Sequence, residues 1–200
     1  MKRLLASRLL KLGAVLAVLP AAALAHPGHD GGHDLTWDFS SGFSHPLGGI
    51  DHFLAMLAVG IWAAQAGGRA RWLVPTVFVG MMTLGSFAAQ QGMAPAGTEQ
   101  LIAASLLALG LMVIMEKHLP FGMGVVLTAL FGAFHGFAHG AEIPASTGGL
   151  SYALGFVAAT IMIQAAGVTL GTIQTNRFSN WAKAAGAGVA TVGAILLVAA

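Results

Sequence analysis

The sequence predicts an all-α membrane protein in which six transmembrane helices follow a cleaved N-terminal signal peptide. Three observations predict it. Only 8% of the 200 residues are charged while 56% are hydrophobic, and the mean hydropathy is +0.80; a soluble domain carries about a quarter charged residues. Apolar runs long enough to span a bilayer recur from Phe43 onward, separated by short polar turns. The basic residues then fall in some of those turns and are missing from the others, the pattern that orients membrane helices. The absence of cysteine excludes disulfides, thiolate clusters and thiol catalysis, and leaves histidine and carboxylate as the strong metal ligands.

Residues 1–25 read as the signal peptide. Lys2, Arg3, Arg8 and Lys11 form a charged start, Leu12 to Leu19 an apolar stretch, and Ala23-Leu24-Ala25 a small-residue cleavage site. Fourteen apolar residues are too few for a span, which needs about twenty. Cleavage after Ala25 leaves five basic and seven acidic residues, net −2, so the basic balance of the whole chain belongs to the leader and nucleic acid is excluded as a partner.

Residues 26–42 form a histidine-rich exported segment. His26, His29 and His33, with Asp30 and Asp34 among glycines, make a polar stretch that can gather divalent cations or serve as a plain spacer. Residues 43–200 form the six-helix transmembrane domain, with spans at 45–66, 72–90, 100–115, 119–139, 150–171 and 181–200. The third is short, its sixteen residues reaching about 24 Å of a roughly 30 Å core.

Arg69, Arg71, Lys117 and Arg177 fall in alternate connections, with Lys183 beside the last of them at the start of span six, and the connections at 26–44, 91–99 and 140–149 contain no lysine or arginine. Positive charge stays in the cytoplasm, so the mature N-terminus is periplasmic and the membrane is the bacterial inner one. A cleaved leader requires the same orientation independently. Within span four, Gly132, Gly136 and Gly140 form a small-residue ridge of the kind that lets membrane helices approach closely, within one chain or in a homo-oligomer.

Ionisable residues inside spans are costly and call for a function. Span one opens with His45, Pro46, Gly48, Gly49, Asp51 and His52. Proline favours the first helical position, which places His45 as a cap and Asp51 and His52 in the second turn. On an unbroken helix the Cα atoms of the two histidines are about 10.5 Å apart, so they serve as successive stations or as one site closed by another helix. Span four ends with His135, His139 and Glu142 at i, i+4 and i+7, a stripe on which two imidazoles can reach one cation. Span one enters from outside and span four runs outward, so all of these groups reach one depth near the periplasmic face. Imidazole with carboxylate suits Ni²⁺, Co²⁺, Zn²⁺, Fe²⁺ or Cu²⁺.

HPLGGIDHFLAM at 45–56 and FHGFAHGAE at 134–142 resemble the first-helix and fourth-helix signatures of the HupE/UreJ family of hydrogenase and urease accessory membrane proteins. The leader, the six spans and the histidine-rich segment fit as well. The resemblance implies a nickel (or cobalt) permease of the inner membrane that supplies metal to nickel enzymes. Its motif positions correspond to His45, Asp51, His52, His135, His139 and Glu142.

The expected function is therefore secondary transport, with Ni²⁺ or Co²⁺ as cargo, no prosthetic group and no enzyme activity. The competing reading is an intramembrane zinc hydrolase that uses the same cluster with Asp51 or Glu142 as general base. Bis-histidine haem ligation is a third, distinguished by its Soret band.

Overall fold

The computed structural model of the protein describes residues 37–116, 119–143, 149–173 and 176–199, apart from the side chains of Glu142 and residues 176–179. The leader, His26, His29, His33 and His118 lie outside the described residues. Those described form helices and no strand: α1 (Phe39–Gly48), α2 (Ile50–Ala66), α3 (Ala70–Gln90), α4 (Thr98–Met115), α5 (Phe121–Glu142), α6 (Gly149–Gly171) and α7 (Asn176–Ala199). Helices α3 to α7 are each long and apolar enough to cross a membrane. Helices α1 and α2 pass the same test only as a pair, joined at an 82° bend, which makes five spans, or six where the bent pair counts as one.

That break corrects the expected course of span one. The helix does not start at His45 with Pro46 in its first turn; it starts at Phe39, and Pro46 lies inside α1. The start is set by Asp38, whose carboxylate accepts hydrogen bonds from the Ser41 backbone N–H at 2.8 Å and the Ser40 hydroxyl at 2.9 Å. The helical part thus begins four residues before the boundary expected at 43. Pro46 has no N–H for the carbonyl one turn back, and α1 stops two residues later. Gly49 then adopts an extended conformation (φ −84°, ψ 112°), bonds back to the His45 carbonyl, and the chain resumes as α2 on a new axis. A Cβ on Gly49 would sit 3.1 Å from the Asp51 carboxylate and 3.4 Å from the His52 ring, so glycine here makes room for the two ionisable side chains.

The third span is longer than its apolar run implies. Helix α4 reaches back to Thr98, and its eighteen residues extend about 27 Å.

Close backbone approach dominates the packing. The α3–α5, α4–α7, α2–α6 and α1–α6 pairs are the most extensive. Along α5, a Cβ on Gly132, Gly136 or Gly140 would collide with the backbone of Phe78, Met82 or Ser86 in turn, so the ridge lies directly on α3. Gly60 and Gly167 play this part between α2 and α6, and Gly110 and Gly193 between α4 and α7. Helix α2 runs through the centre, buried from Ala55 to Ala64 except for Leu57. It meets α5 through large side chains: Trp62 fills the space beside Gly124, and His52 lies against His135 and His139. This spacing creates room for imidazole rings between the two helices.

Candidate metal centre

Three elements converge where α1 breaks. His45 comes from the last turn of α1, His52 from the first turn of α2 and His139 from the last turn of α5. The ring centroids of His52 and His139 are 4.4 Å apart, those of His45 and His139 5.0 Å, and those of His45 and His52 5.7 Å. One nitrogen from each lies within 4.8 Å of the other two. A point therefore exists no more than about 2.8 Å from all three, against about 2.1 Å for a metal–imidazole bond. Inward movement of each ring by under about 1 Å closes the difference, within the reach of side-chain rotation. The Gly49 break shapes this geometry, because the rings of His45 and His52 meet at 5.7 Å across a bend and not along one continuous axis.

Two contacts orient the rings. The Asp51 carboxylate lies 2.8 Å from Nδ1 of His52, a close polar contact without in-line hydrogen-bond geometry, and both residues are buried. Tyr152 of α6 reaches over α1 to form a 2.6 Å hydrogen bond with Nδ1 of His45. In each case Nδ1 is engaged, which leaves Nε2 for a cation, and such outer contacts hold a ligand's tautomer and direction. Phe156, one turn along α6, covers the cluster from the apolar side, with its ring 4.5 Å from that of His139.

His135 belongs to the neighbourhood but not to the ion-sized triple. It is fully buried one turn from His139, its Nδ1–H donates to the Phe131 carbonyl at 2.9 Å, and its ring lies 5.8 Å from that of His52. That hydrogen bond leaves its Nε2 as a buried lone pair with no hydrogen-bond partner. Glu142 closes α5, and its side chain lies outside the described residues. A cavity of about 320 Å³ adjoins the cluster between α3, α5 and α6, lined by Thr83, Ser86, Gln90, His139 and Phe156 among others. His139 forms part of its wall.

The HupE / UreJ protein family profile matches residues 14–196. The chain belongs to the HupE/UreJ family. Protein HupE of Rhizobium leguminosarum bv. viciae is 37% identical over 190 residues, covering 94% of this chain and 97% of the relative. No solved structure matches. The two segments that resemble the family's signatures, 45–56 and 134–142, meet at the α1–α2 break and the end of α5.

Tyr152 and Phe156 were not among the residues singled out from the sequence. Tyr152 carried one legible signal, being the only tyrosine in the chain and standing in an otherwise apolar span. Phe156 carried none, since a phenylalanine in a membrane helix is unremarkable until its neighbours are known.

Proposed function

We propose that this HupE/UreJ protein is an inner-membrane secondary permease that takes up a divalent transition metal, Ni²⁺ first and Co²⁺ second, for hydrogenase or urease maturation. The observation that carries the reading is the triple of half-buried His45 with buried His52 and His139, drawn from three elements of a membrane protein to within ion-binding distance. Three neutral imidazoles with a carboxylate behind one of them suit a borderline cation and leave coordination positions open for departing water.

In this reading His26, His29 and His33 gather cations at the periplasmic surface, and the ion approaches through the cavity beside Ser86 and Gln90. His45, His52 and His139 replace its hydration water. With Nε2 of His45 on the ion, its Nδ1–H donates to the Tyr152 hydroxyl oxygen. Asp51 balances part of the cation's charge through His52, and Glu142 adds a carboxylate near the outer surface. The free Nε2 of His135, one turn along α5, is the next acceptor inward. An inside-negative potential supplies roughly 4.6 kcal/mol per 100 mV for a divalent ion, sufficient for uptake without nucleotide hydrolysis.

Purified protein in liposomes, assayed for radioactive nickel uptake under an imposed potential, tests the reading. Wild type is expected to load nickel, and His139→Ala to lose at least nine-tenths of the rate while folding normally. Zinc-dependent lipid or amide hydrolysis without metal uptake would overturn it in favour of a hydrolase.

A further inference from the structure

Helices α3 and α6 touch only lightly, and at the Arg71 end of α3 they leave a cleft of about 490 Å³. Its lining includes Arg71, Trp72, Gly80, Ile161, Gln164 and Val168. The volume falls within the roughly 300–1,000 Å³ of ligand sites. Trp72 and Ile161 are exposed on its rim, so the cleft opens sideways onto the surface that faces lipid. Trp72 is also the amphipathic aromatic expected at the headgroup level.

Two polar groups in this apolar cleft lack partners. Nε of Arg71 is buried without a hydrogen bond, and among the described residues no carboxylate lies within ion-pair distance of the guanidinium. Gln164 is 1% exposed, and neither its amide nitrogen nor its amide oxygen is hydrogen-bonded. An unpaired guanidinium repels a cation, so the cleft is a poor route for the proposed cargo and a good one for an anion. A bare hydrocarbon chain would satisfy neither group.

We propose that the cleft holds one acidic phospholipid, with its phosphate on Arg71, its ester region at Gln164 and an acyl chain laid past Gly80 and Ile161. Basic sites between helices at the cytoplasmic side suit anionic headgroups. The chain gains little by leaving a bilayer that is equally apolar, so binding rests on the polar end and selects by headgroup. Gly80 keeps the chain's path open: a Cβ there meets nothing within 4 Å.

The test is native mass spectrometry of the full-length protein in mild detergent, incubated with equimolar phosphatidylglycerol and phosphatidylcholine. One phosphatidylglycerol per chain is expected, retained several-fold over phosphatidylcholine. Arg71→Gln should lower that preference about fivefold. Gly80→Phe should block both lipids with thermal unfolding unchanged, since the added ring enters open space. Equal retention of the two lipids by wild type, or a preference undiminished in Arg71→Gln, would overturn the assignment. A dimer that Gly80→Phe dissolves would give the cleft to a second copy of the chain instead.

Discussion

Replacing Tyr152 by phenylalanine removes one oxygen and keeps the ring, which isolates the contact that orients His45. The ring's packing against Trp37, at 5.0 Å, and Phe156, at 6.5 Å, survives the change. What is lost is the 2.6 Å hydrogen bond to Nδ1 of the half-buried His45. A neutral hydrogen bond contributes about 0.5–1.5 kcal/mol net, and more if the partner is stranded away from water. Losing an outer-sphere partner of a metal-bound histidine costs about 10–100-fold in affinity. The lower end applies here, because in the proposed site His45 is one of three ligands and is not fully buried: nickel binding should weaken about tenfold, ~1.4 kcal/mol. Calorimetric titration of the detergent-solubilised protein with Ni²⁺ reads this directly, with His45→Ala as the variant that removes the ligand itself. Thermal stability should fall by no more than about 1.5 kcal/mol, the hydrogen bond alone, since packing is untouched. An affinity within twofold of wild type in Tyr152→Phe, alongside a large loss in His45→Ala, would refute the positioning role. Full binding in both variants would refute the three-histidine site.

Gly136→Leu should cost more than the ~1–3 kcal/mol usual for overpacking, because the obstacle is the Met82 backbone and α3 and α5 must part along the whole ridge. Gly188→Leu, at a position where a Cβ meets nothing within 4 Å, should leave the melting profile near wild type, and size-exclusion thermal assays compare the two. Nickel uptake into liposomes should fall as external pH is lowered, because metal ligation requires unprotonated imidazoles. The sign is fixed by competition: protons occupy the lone pairs the ion needs, so uptake is greatest on the alkaline side. A rate that stays flat down to the pH at which the protein unfolds would count against a histidine site.

Much of the helical architecture was legible because it depends on local composition. The runs at 72–90 and 150–171 contain no lysine, arginine, aspartate or glutamate, and glycines at 132, 136 and 140 share a face by helical spacing alone. Helix limits were less legible where capping rather than hydropathy sets them, as at Asp38, which starts α1 before the apolar run begins. The neighbourhood of His52 and His139 could be anticipated from topology, since a helix entering and a helix leaving present opposite ends at one face. The separation of His45 from His52 could not, because spacing along a chain becomes a distance only if the helix is continuous.

By itself, the sequence determined that this chain is a helical membrane protein, which glycines let its helices touch, and that histidines concentrate near two span ends. These follow from hydropathy, side-chain volume and the 3.6-residue turn, all local properties. Only the tertiary structure decided that Pro46 and Gly49 break the first span and that His45 shares an ion-sized space with His52 and His139. It alone brought Tyr152, 107 residues away, to hold His45. The physical reason is that an ion measures distances through space, and those depend on how helices bend and pack against one another.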